Sequence, residues 1–135
     1  MALITWDDSF SVRVAEIDRQ HQKLVAMIND LNEGMRQGKG KEALAKIIAG
    51  LLGYTVTHFK AEEKYFDQYG YPDKDQHKKE HGDFVQKVTD FKKGFEAGKL
   101  GLSIEVMEFL GNWLKKHIKG TDQKYSQFFN AKGLK

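Results

Sequence analysis

The chain of 135 residues contains no cysteine. Disulfides, thiolate nucleophiles, iron–sulfur clusters and thiolate zinc sites are therefore excluded. It has a single proline, Pro72, so little interrupts long helices. It has no long hydrophobic run either. The widest gap between charged residues, Ile47 to Phe59, falls short of the roughly 20 apolar residues of a membrane span. Also missing is any block of charge of one sign. Lys plus Arg is 22 and Asp plus Glu is 19, a net charge of +3, and neither nucleic acid nor a membrane surface is an expected partner. The opening residues Met1 to Asp8 show no basic stretch followed by an apolar one, so no signal peptide is expected and the expected location is the cytoplasm. The length suits one domain with one hydrophobic core.

What is present is helical periodicity in four blocks. Helices are expected over about 19–37, 41–69, 73–97 and 104–119, with a short terminal one over about 123–129. The first carries an apolar seam of His21, Leu24, Ile28, Leu31 and Met35, with Asp18 as its expected N-cap. The second carries Leu44, Ile48, Leu51, Thr55, His58, Glu62 and Tyr65, and Gly70 stops it. Pro72 suits the first turn of the third, whose seam is His77, His81, Phe84, Val88, Phe91 and Phe95. Ser103 is the expected cap of the fourth, with Met107, Leu110, Leu114 and His117 on its seam; Gly120 interrupts it and Asp122 can cap the last helix. Short glycine-bearing turns between such helices make an all-α, up-down-up-down four-helix bundle. Residues 1–17 lack the pattern, and Trp6, Phe10, Val12, Val14 and Ile17 suggest an extended arm packed on the bundle.

All five histidines fall on the apolar seams. One such residue reads as a hydrogen-bonded core histidine. Five together leave many imidazole nitrogens to satisfy in one core, which metal coordination does at once. His77 and His81 are one helical turn apart on one face, and so are His58 and Glu62. An unpaired buried carboxylate is expensive, so Glu62 on a seam points the same way, whereas Glu63 falls off the seam and reads as a solvated surface charge. His117 and Asp122 converge only if the helix is distorted near Gly120; otherwise Thr121 and Asp122 read as helix caps. Imidazole and carboxylate without thiolate suit iron, zinc, manganese or copper. Seven ligands are too many for one metal and fit two bridged by the carboxylates. With a shared solvent oxygen, two octahedral metals then keep one position open for a small ligand. Two other motifs fit poorly. His77-Lys78-Lys79-Glu80-His81 matches a zinc-peptidase pattern, but Glu80 is off the seam and the chain has no room for a large cleft. The paired Glu-x-x-His elements of ferritin-like oxidases are absent from the sequence. No further acid–base group is evident on the seam beside the metals, which weighs against an enzyme.

These residues resemble the hemerythrin family, specifically its single-domain bacterial members. The likeness runs through Trp6, Val12-Arg13-Val14, Ile17-Asp18-Arg19-Gln20-His21, His58-Phe59-Lys60-Ala61-Glu62, His77-Lys78-Lys79-Glu80-His81 and His117-Ile118-Lys119-Gly120-Thr121-Asp122. The family often has glycine at the position of Arg13. The resemblance implies two iron ions, Fe2+ or Fe3+, bridged by an oxo or hydroxo group and by Glu62 and Asp122. It implies that His77, His81 and His117 hold one iron and that His21 and His58 hold the other, which keeps the open position. That position would face a dry dioxygen pocket of Leu24, Phe59, Trp113, Leu114 and Ile118. The implied function is reversible dioxygen binding for carriage, storage or local supply. The rival readings are oxygen or redox sensing through a separate partner, and a di-iron peroxidase or nitric oxide scavenger. Small anions or nitric oxide are the other ligands expected at the open iron, and the chain is expected to be a monomer.

Overall fold

A computed structural model describes residues 4–99 and 101–135 of the chain; the first three positions of the expected arm lie outside the described residues. The described residues form an up-down-up-down bundle of four helical rods and contain no strand. The first rod is α1 (Ala15–Arg36) and the second runs through α2 (Gly40–Tyr54), a wide-turned segment Thr55–Phe59 and α3 (Lys60–Tyr69). The third is α4 (Lys74–Glu96). The fourth runs through α5 (Leu102–Trp113), a second wide-turned segment Leu114–Thr121 and α6 (Gln123–Ala131). The rods close into a square, with α1 and α4 each packed against α2 and α5. No helix among the described residues is long and apolar enough to cross a membrane.

Several helix ends differ from the sequence reading. α1 begins four residues ahead of the expected start, so Ile17 lies inside it. Asp18 therefore does not cap it; its carboxylate accepts from the Val12 N–H at 2.9 Å and the Ser11 hydroxyl at 2.6 Å, tying the arm to the helix. Pro72 lies before the third rod, which starts after Asp73, and Gly101 rather than Ser103 occupies the N-cap of α5. Gly70 does end α3: its φ of 66° is left-handed, and the turn is closed by Tyr71 N–H donating to the Phe66 carbonyl at 2.9 Å.

The two wide segments shift the seams. A π-type turn spends an extra residue per turn, so beyond His58 and Glu62 the buried position is Phe66, not Tyr65. In α5, a regular helix ahead of the second wide segment, the seam steps by four through Leu102, Val106 and Leu110, and Met107 is only half-buried. Leu24, Ile28, Leu51, Phe84, Val88 and Leu110 belong to a long apolar core inside the bundle. A second, smaller cluster joins Val12, Val14 and Ile17 to Phe66, Tyr71, Tyr125 and Phe129. The Ser126 hydroxyl donates to the Val12 carbonyl at 2.7 Å and the Asn130 amide to the Arg13 carbonyl at 3.0 Å, which fastens the arm to α6. Between the two clusters lie the polar residues of the core.

Candidate metal centre

All seven sequence-predicted ligands are buried: His21, His58, Glu62, His77, His81, His117 and Asp122 are each 2% exposed or less. They come from all four rods and their side chains meet at one level of the bundle. Two groups form, His21, His58, Glu62 and Asp122 in one and Glu62, His77, His81 and His117 in the other, each with ligand atoms within 4.8 Å of one another. Glu62 belongs to both groups. Asp122 also faces both ways: its Oδ1 lies 2.7 Å from His77 Nε2 and 3.0 Å from His117 Nε2, while its Oδ2 lies 3.2 Å from His21 Nε2. Glu62 Oε1 stands 3.0 Å from His58 Nε2 and 3.1 Å from His81 Nε2.

The wide turns bring these residues together. His117 and Asp122 are five apart and would diverge on a regular α-helix. Here the Asp122 N–H donates to the His117 carbonyl at 2.7 Å, an i→i+5 bond that puts both side chains on one face. Gly120 thus lies within a continuous rod instead of ending it, and the capping alternative does not hold. Asp122 makes no side-chain cap bond, and the Thr121 hydroxyl donates to Glu80 at 2.9 Å.

Whether these residues fit a metal can be tested on their own atoms. Among the described residues, eight of the nine buried side-chain nitrogen and oxygen atoms without a hydrogen-bond partner belong to this set of seven. They include Nε2 of His77, His81 and His117, Glu62 Oε1 and both oxygens of Asp122. Their separations of 2.7 to 3.2 Å lack hydrogen-bond alignment. Adjacent ligands held about 2.1 Å from one ion lie about 3 Å apart, so the donors are spaced to share cations. The set fits.

The outer nitrogens are held differently. His58 Nδ1 meets Gln20 Oε1 at 2.6 Å, His81 Nδ1 meets Glu63 Oε2 at 2.9 Å, and His117 Nδ1 meets Glu80 Oε1 at 2.9 Å. Each contact places the ring proton on Nδ1 and turns the Nε2 lone pair inward. Glu63 is therefore no freely solvated charge, and Glu80 orients His117 despite lying off the seam. Tyr125, on α6, donates its hydroxyl to Glu62 Oε2, so the site also contains an ionisable group that sequence reasoning did not find. One signal was available for the others. Gln20, Glu63 and Glu80 each follow or precede a ligand in the chain, and each supports the ligand of the next rod.

Electrostatics are dominated by the two carboxylates. Burial pushes Glu62 up, but His58 and His81 outweigh it and hold the carboxyl well below its usual range. Burial and the Glu62 charge likewise push Asp122 up, and His117 and His21 overcome both. Burial lowers His58. His117 is also disfavoured by burial, yet Asp122, Glu62 and Glu80 raise it to about 9. Two buried carboxylates held in their ionised form suit this site to cations.

Of the expected pocket residues, Leu24, Phe59, Leu114 and Ile118 are buried and Trp113 is half-buried, all in the long apolar core. Phe59 stacks on His81 with centroids 3.9 Å apart, and Trp113 stacks on His117 at 3.8 Å.

Residues 12–129 match the family described as the Hemerythrin HHE cation binding domain. A bacteriohemerythrin of Stenotrophomonas maltophilia is 33% identical over 97% of this chain and 84% of its own. One of Methylococcus capsulatus is 34% identical over 97% of this chain and 100% of its own. The crystal structure of a wild-type hemerythrin superposes with a TM-score of 0.79 at 32% identity, over 93% of this chain and 97% of that one.

Proposed function

The chain belongs to the hemerythrin family, and from that premise we propose that it binds dioxygen reversibly at a non-haem di-iron centre, as a carrier, store or local supply. His77, His81 and His117 would hold one iron, His21 and His58 the other, and Glu62 and Asp122 would bridge them. The observation that carries this reading is the stance of Asp122, one oxygen toward His77 and His117 and the other toward His21. A carboxylate so placed serves two cations at once. The histidines divide three to two around it, which supports an open position on the two-histidine side. When bound, a ferrous pair supplies the two electrons that dioxygen takes up and returns.

The chain's own residues account for reversibility. Gln20, Glu63 and Glu80 lock the ring orientation of His58, His81 and His117, so the ligands need not rearrange during the cycle. The Tyr125 hydroxyl holds one Glu62 oxygen in place. Leu24, Phe59, Leu114 and Ile118, with Trp113 at the outer edge, exclude water from the ligand position. Water exclusion favours release of dioxygen over its loss as hydrogen peroxide, which would leave the metals oxidised.

The test is to purify the protein, count iron and follow visible absorption while cycling between anaerobic and aerated buffer. Two irons per chain with a band that appears and vanishes reversibly is the expected result. A single zinc ion, or irreversible bleaching with release of peroxide, overturns the reading.

A further inference from the structure

Among the described residues, eight of the nine buried side-chain nitrogen and oxygen atoms without a partner belong to the seven candidate ligands; the ninth is the hydroxyl of Tyr54. Tyr54 is 7% exposed and stands one turn before His58 on the second rod. Its ring lies on the His58 imidazole, with centroids 4.8 Å apart and planes 22° from parallel. It also meets Phe59 edge-on at 6.1 Å. Tyr54 thus borders both a histidine of the two-histidine group and a residue of the expected dioxygen pocket. Other hydroxyls in this interior are satisfied within the protein: Tyr125 by Glu62, Thr55 by the Leu52 carbonyl and Ser126 by the Val12 carbonyl. A phenol sealed from water with nothing to donate to is unfavourable, and phenylalanine would fill the same space without that cost.

We propose that Tyr54 is a ligand-binding residue, whose hydroxyl donates a hydrogen bond to the dioxygen or small anion held beside His21 and His58. The inference rests on the di-iron reading above. It adds a polar anchor to a pocket that is otherwise apolar, and the anchor is free to serve a ligand because no protein group occupies it.

Azide is a suitable probe, and the test compares the unsubstituted protein with Tyr54→Phe. In the oxidised, iron-loaded protein the variant should bind azide about ten-fold more weakly or worse, the loss of one hydrogen bond to a charged acceptor. In the metal-free protein the same variant should melt no lower than the unsubstituted chain. Equal azide affinity overturns the inference, because the hydroxyl then serves only a structural water. A lower melting point in the metal-free variant also overturns it, by revealing a protein partner. If the unsubstituted protein loads iron but takes up no azide, the open position itself is refuted and the inference falls with it. Should the variant fail to fold, the infrared band of azide bound to the unsubstituted protein decides. A shift between H2O and D2O is expected, and an unmoved band overturns the proposal.

Discussion

Arg13 holds a backbone conformation that suits another residue. Its φ of 60° is left-handed, alone among the described non-glycine residues, and a Cβ in that region costs roughly 1–2 kcal/mol. The turn is kept because Ser11 Oγ accepts the Arg13 N–H at 3.0 Å and Asn130 reaches the Arg13 carbonyl from α6. Replacing Arg13 by glycine removes the strain but loosens the unfolded chain by about 0.4–1 kcal/mol. The strain term is larger, so Arg13→Gly should stabilise the protein by about 0.5–1 kcal/mol, read as a higher denaturant midpoint at an unchanged slope. Glu80 presents the opposite case, a residue that acts through the side chain it holds. It accepts from both His117 Nδ1 and the Thr121 hydroxyl. Glu80→Ala should weaken iron retention about 10- to 100-fold against a competing chelator. Glu80→Gln, which keeps a carbonyl acceptor, should fall between the two.

The helices show which signals a linear pattern carries. The burial of the five histidines and Glu62 was legible because a polar residue on an apolar seam breaks the helical pattern at a known phase. Asp122 was not legible from periodicity, since its approach to His117 depends on a wide turn that no repeat of three and four can encode. Gln20, Glu63 and Glu80 escaped for another reason. Each acts on a neighbouring rod, and their alignment depends on how α1, α3 and α4 lie against one another. The α1–α2 crossing, far from the centre, shows how tightly that is fixed. A Cβ built on Gly34 would collide with the Cβ of Ala43 in the facing helix. Alanine gains about 1 kcal/mol of helix propensity over glycine, but overpacking of this kind costs about 1–3 kcal/mol. Gly34→Ala should therefore lose stability, by up to about 2 kcal/mol, in a denaturant titration. Gly34 lies about 20 Å along α1 from His21, so iron content should be unchanged.

At the scale of the molecule, the core stores two carboxylates whose charges must be answered by protons or by metal, and the two answers differ in their pH dependence. In the metal-free protein His117 carries a proton up to about pH 9, well above the unfolded value of about 6.5, and Glu62 and Glu63 raise His81 as well. Groups raised on folding stabilise fully below their unfolded pKa and lose that contribution as pH climbs through the folded one. Glu62 and Asp122 are depressed, so their contribution is present above the ordinary carboxylate range and lost in acid. His58, lowered by burial, acts only below the ordinary imidazole range. As pH rises from 6.5 to 9 the raised histidines lose their extra protons, and the metal-free protein should become less stable, by about 3 kcal/mol from His117. Coordinated imidazoles have no such proton to lose. Denaturant midpoints of the loaded protein should be flat across that window while those of the metal-free protein fall. A loaded protein whose midpoint falls in step with that of the metal-free protein would mean that His117 is not a ligand.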